Sequence, residues 1–96
     1  MKVVYHPGVQ KDVSAILRYY DTIAPRLGDE FWAELMEFIE AAATNPKRGR
    51  SLDDELRRVN LKRFPYHLLF RILPDKIRVT VVRHHKQHPA RGLKRR

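Results

Sequence analysis

The chain has 96 residues, with 20 Lys/Arg against 11 Asp/Glu and no cysteine. That length supports one hydrophobic core and not two, so a single domain over residues 1–96 is expected, and the missing cysteines exclude a disulfide framework, thiol chemistry and a thiolate zinc site. Lys2, His6, Lys11 and Asp12 interrupt the N-terminal apolar runs, and nothing approaches the ~18 apolar residues of a membrane span, so the expectation is a soluble, cytoplasmic protein with no membrane partner.

Residues 3–5, VVY, form a short β-prone run that HPG ends, with Pro7 suited to the first turn of a helix. Val9, Val13, Ile16, Leu17 and Tyr20 then recur at helical spacing, with Lys11, Asp12 and Arg18 off the stripe. Pro25 and Gly28 punctuate the chain before a second stripe, Phe31, Leu35, Phe38, Ile39 and Ala42. Glu30, Glu34 and Glu37 read as its acidic outer face, and Asn45-Pro46 stops it. The two segments predict a helical hairpin whose stripes serve the core.

After the basic loop PKRGRSLDDE the period changes to two. LRRVNLKRF, YHLLFRIL and KIRVTVVRH predict three antiparallel strands, broken near Phe64-Pro65 and by the turn Pro74-Asp75. The strand at 3–5 is expected to join them, because its backbone groups need partners. The result is an α+β fold, β-α-α-β-β-β, with the hairpin on one face of a small, mainly antiparallel sheet. Tyr66, Leu68, Phe70 and Ile72 share one side of their strand, leaving His67, Leu69 and Arg71 on the other. Val59 and Leu61 likewise oppose Arg58, Asn60 and Lys62. The helices can cover only the apolar side, so an open basic face is expected, with Arg78 beside it.

Charge agrees with that division. Residues 1–46 carry −3 and the remainder +12, a field that attracts phosphates or an acidic protein. Arg50, Arg58, Lys62, Arg78 and Lys86 are the expected target- or phosphate-binding cations. The run RHHKQHP at 83–89 poses the sharpest chemical question. His84 and His85 are strand neighbours that point to opposite faces, and no nearby carboxylate completes a set with His88, so no metal site is expected. No glycine loop that cradles a phosphate is present, RGRS being one glycine between cations, and no cofactor is expected. Ser14 and Ser51 lie in no nucleophile motif, and Asp53, Asp54 and Glu55 read as local ion pairs. Acid/base chemistry on RNA needs a base for the 2′-hydroxyl, cations for the phosphorane and an acid for the leaving oxygen; His67, Arg71, Arg83 and His85 have the right types.

In order, the helical hairpin, NPKRGRSLDDELRRV, FPYHLLFRI and IRVTVVRHHKQHP resemble the RelE/ParE superfamily of toxins from bacterial type II toxin-antitoxin modules, over nearly the whole chain. The resemblance implies a growth-inhibiting toxin and the same β-α-α-β-β-β order. In members that cleave mRNA on the ribosome, functional side chains lie on the open sheet face and at the end of the last strand, matching His67, Arg83 and His85 here. The lysine-rich set and C-terminal tyrosine of some such nucleases have no clear counterpart, although Lys86 is near. ParE-like members poison DNA gyrase without being hydrolases, and the resemblance leans toward that branch. The target is therefore expected to be gyrase, or alternatively the ribosome and its mRNA, with endoribonuclease activity only in the second case. Both branches imply a cognate acidic antitoxin as partner. A non-toxic basic module that binds nucleic acid ranks last. Strict alternation sets His84 beside Arg78, whereas the resemblance sets His85 there; a β-bulge would reconcile them.

Overall fold

Two helical stripes and one strongly alternating strand decide how the chain folds. The computed structural model describes all 96 residues. They form β1 (Lys2–Tyr5), α1 (Gly8–Asp21), α2 (Pro25–Thr44), a 3-10 turn (Pro46–Arg48), β2 (Arg50–Ser51), β3 (Leu56–Asn60), β4 (Tyr66–Ile72) and β5 (Lys76–His84). The sheet order is β1-β5-β4-β3-β2, with β1 parallel to β5 and the other pairs antiparallel. The expected architecture is thus present, and the two-residue β2 adds an edge strand within the basic loop. Pro25 opens α2 at a position where the missing N–H costs nothing, and Asn45-Pro46 closes it.

The helices pack on the face that β4 offers with Tyr66, Leu68 and Phe70. Phe31, Leu35, Leu68, Phe70, Ile77 and Val79 are wholly buried there. Tyr20, Phe31, Phe64 and Tyr66 meet at ring distances of 5.3–6.2 Å, mostly edge to face, the arrangement that aromatic quadrupoles favour.

In β5, Val79 stands opposite Phe70 and Val81 opposite Leu69, which leaves Thr80 unmatched. This bulge reverses the alternation. Ile77 and Val79 face the helices before it, and Val82 faces them after it, so Val81 and Arg83 lie on the other face.

Two acids expected on the surface are buried, each because an otherwise bare backbone amide needs an acceptor. Glu34, placed by sequence on an acidic outer face, accepts from the N–H groups of Lys62 and Arg63, both at 2.9 Å, and so anchors the β3–β4 connection to α2. Asp12 accepts from the Val82 N–H at 3.1 Å, because β1 ends opposite Val79 and leaves the β5 edge unpaired beyond it. Glu34 also corrects the expectation for Lys62. β3 stops at Asn60, and Lys62 lines a cleft with Glu30, Glu34 and Glu37, away from the basic face.

Replacing Glu34 by Ala leaves two amides without their charged acceptor. The expected loss is roughly 3 kcal/mol in denaturant unfolding, while Glu40→Ala on the exposed side of α2 should stay within about 0.5 kcal/mol.

Candidate functional site

The face of the sheet away from the helices gathers Leu56, Arg58 and Asn60 from β3, His67, Leu69 and Arg71 from β4, and Arg78, Val81 and Arg83 from β5. It is not open. Leu56, Leu69 and Val81 form a second small apolar cluster, almost fully buried, and the segment that follows β5 folds back over them. Gly92 has φ +74°, and a Cβ there would come 2.5 Å from a Val81 methyl, so only glycine lets the backbone lie this close. The sequence expectation of an uncovered basic surface is corrected by this apolar minority, which water does not solvate favourably.

Three of the four residues with ribonuclease character come together. Arg83, 4% exposed, donates from Nε to His67 Nε2 at 2.8 Å. His67, 2% exposed, meets His85 edge to edge, with the rings 6° from parallel and their Nδ1 atoms 2.9 Å apart. Because arginine can only donate, His67 Nε2 must accept. The proton of a neutral His67 is then on Nδ1, where it donates to His85 Nδ1, and His85 carries its own proton on Nε2. Desolvation, followed by the charges of Arg58 and Arg83, pushes His67 down from 6.5 to about 3. His85 is also held below its ordinary value, first by burial and then by Arg58. Arg83 Nη1 donates to the carbonyls of Pro89 at 2.6 Å and Arg91 at 2.8 Å.

This relay ties up two of its three members. Both His67 nitrogens are engaged and Arg83 is held by His67 and backbone oxygens, so His67 offers no free base. The exposed His85 alone keeps an unpartnered ring nitrogen, with Arg58 as the cation whose charge acts on it. Arg71 stands apart from the trio, bonded to Glu55 at 2.9 Å and to the Arg95 carbonyl at 3.3 Å. Glu55 therefore pairs across the sheet, while Asp53 accepts from the N–H groups of Glu55 and Leu56 and shapes the turn before β3. His84 points to the helix side, its ring edge-on to Tyr66 at 5.0 Å.

The expected target-binding cations are divided. Arg58 lies on the face with Nε on Asn60 Oδ1, Arg50 stands opposite it in the β2–β3 ladder, and Arg78 stands opposite Arg71. Lys86 is exposed in the turn after β5. Sequence reasoning missed Arg95, which bonds Asp12 at 2.7 Å and the Thr80 carbonyl at 3.1 Å; a basic tail gives no sign of a buried partner 83 residues away. Two hollows result. One, of about 720 Å³, is lined by Leu56, Arg58, Arg71, Arg83, Leu93 and Lys94 among others. The other, of about 620 Å³, is an apolar groove between the end of β1 and both helices, with Trp32 and Tyr5 each 47% exposed along it.

Residues 3–89 match the family described as ParE toxin of type II toxin-antitoxin system, parDE. The chain belongs to the ParE toxin family. It is accordingly the toxin of a type II system, ParE-like, with an antitoxin as partner, and the RelE-like alternative is not favoured. A solved structure of the chromosomal ParDE toxin-antitoxin system from P. aeruginosa has the same fold, with a TM-score of 0.76 at 18% identity over 88% of this chain and 95% of that one. No curated protein matches the chain. The family match ends at Pro89, so the part of the toxin that bears Gly92 and Arg95 lies beyond it. No helix of this toxin is long and apolar enough to cross a membrane.

The His67 relay has a pH signature. His67 in the folded toxin sits near 3 against 6.5 when unfolded, so the unfolded chain takes up the proton first as pH falls. Its stabilising contribution is complete above pH ~6.5 and is lost on acidification toward ~3, at up to about 1.4 kcal/mol per pH unit. Denaturant midpoints between pH 7.5 and 5 should fall accordingly, and His67→Gln should flatten that slope.

Proposed function

We propose that this toxin acts without hydrolysis, by poisoning DNA gyrase in the bacterial cytoplasm, and that its antitoxin silences it by laying an acidic, apolar-faced segment into the groove of α1 and α2. The observation that carries the first part is the buried His67–Arg83 contact: both His67 nitrogens and two Arg83 donor atoms are taken by His85, each other and the backbone, so the exposed His85 stands alone and no acid and base pair is poised for a 2′-hydroxyl. Membership of the ParE family argues in the same direction.

The second part rests on the groove and the charge. Val13, Leu17, Trp32, Met36 and Ile39 give it apolar walls, and an exposed Trp is the commonest kind of interface anchor. A toxin of net charge +9 speeds the approach of an acidic segment, and apolar burial then holds it.

Induced in a heterologous bacterium, the toxin should stop DNA precursor incorporation before protein precursor incorporation, and a folded His67→Ala/His85→Ala double variant should remain toxic. Early arrest of protein synthesis, with a harmless double variant, would reverse the assignment in favour of mRNA cleavage. In titrations against the antitoxin, Trp32→Ala should weaken binding by roughly 10-fold or more without reducing toxicity.

A further inference from the structure

Four arginines, Arg58, Arg71, Arg78 and Arg83, occupy one sheet face, and Arg71 and Arg78 stand directly opposite each other in the β4–β5 ladder. Like charges opposed in this way are unfavourable unless something negative lies between them. A carboxylate, Glu55, meets Arg71 at 2.9 Å. Arg58 is held by Asn60 Oδ1 on its own strand, and the remaining contacts come from main-chain oxygens of the chain's final segment. Pro89 and Arg91 carbonyls hold Arg83 at 2.6 and 2.8 Å, the Arg95 carbonyl holds Arg71 at 3.3 Å, and the main-chain oxygen of Arg96 approaches Arg78 at 3.4 Å.

We propose that this arginine face binds the phosphodiester backbone of duplex nucleic acid, and that residues 88–96 mask it by occupying the arginines with carbonyls. An anionic oxygen makes a stronger bond to a guanidinium than a carbonyl does, so a phosphate gains by replacing the Pro89, Arg91 and Arg95 carbonyls on Arg83 and Arg71. The segment is built to leave as a unit. Its internal bonds are short-range turns, His88 to Arg91, Ala90 to Leu93 and Gly92 to Arg95, and it joins no ladder. Two pins secure it: Gly92 pressed on Val81, and Arg95 bonded to Asp12 at 2.7 and 3.3 Å.

The occupant follows from the chemistry of the face. No Phe, Tyr or Trp projects from β3, β4 or β5 on this side, so bases have no stacking platform and a duplex backbone fits better than a single strand. An acidic peptide, in contrast, finds its apolar anchor in the groove across the molecule, beside Trp32. The inference goes beyond the choice of target and does not depend on it.

Two point variants loosen the pins with different charge. Gly92→Ala keeps the net charge, and Arg95→Gln removes one positive charge; circular dichroism confirms that each folds. Fluorescence anisotropy with a labelled 20-bp duplex should show both variants binding at least 5-fold tighter than the parent chain. The slope of log K against log salt should steepen by roughly 2–3 as Arg71, Arg78 and Arg83 reach phosphates. Simple electrostatics gives the opposite sign for Arg95→Gln and no change for Gly92→Ala, and that outcome overturns the proposal. Tightening toward polyglutamate with none toward the duplex also overturns it, assigning the face to an acidic protein. In the unmodified toxin the duplex should accelerate tryptic cleavage after Arg91 and Lys94, since the displaced segment becomes accessible; protection there counts against masking.

Discussion

One unmatched residue, Thr80, governs the arrangement of the whole molecule. Were Thr80 paired in regular register instead of bulged out, β5 would alternate strictly, and the side chains of its second half would exchange faces. Val82 would leave the helices, and Arg83 would point into an apolar core with no acceptor. With the bulge, Ile77, Val79 and Val82 all serve the main core, while Val81, Arg83 and His85 turn to the far face, where Leu69 and His67 await them. Bulges bend and twist their strand, and this one coincides with the place where β1 stops and β5 loses its parallel neighbour.

That loss of a neighbour creates the second constraint. Past Val79 the β5 edge has amides and carbonyls with no strand to meet them. Asp12 takes the Val82 amide, and Arg95 takes the Thr80 carbonyl together with Asp12 itself. One carboxylate and one guanidinium thus close the edge in place of a strand. They also tie α1, the bulge and the final segment into a single unit, and an ion pair that deep holds only because every partner is present.

How much of this could be read from the sequence depends on how local each cause is. The two helices, the alternation of β4 and the extent of β5 were legible because periodicity along the chain reports them directly. The short β2 and the displacement of Lys62 were not, since β2 exists only through its two-residue pairing with β3, and Lys62 follows from where α2 presents Glu34 to a loop 28 residues away. The bulge could be suspected only because two registers for His84 and His85 disagreed. Burial of the basic face did leave a trace: Leu69 stood among the cations, an apolar residue on a side that was expected to be wet. Leu56 and Val81 join it only once the sheet has formed.

The same geometry changes what the charge of the chain means. A sequence with +12 in its latter half suggests a surface ready to grip anions. In the fold, Arg71 and Arg83 are buried, and their Nε and Nη1 donors are bound to Glu55, His67 and the backbone. Long-range attraction survives this, because a field depends on charges and not on free donors. Short-range recognition does not, because a hydrogen bond already made must be broken before another replaces it. Steering and gripping are therefore separable properties here, and the histidine pair belongs with the second. By accepting from Arg83 and holding His85 in place, His67 helps to keep the relay closed at the point where the final segment begins.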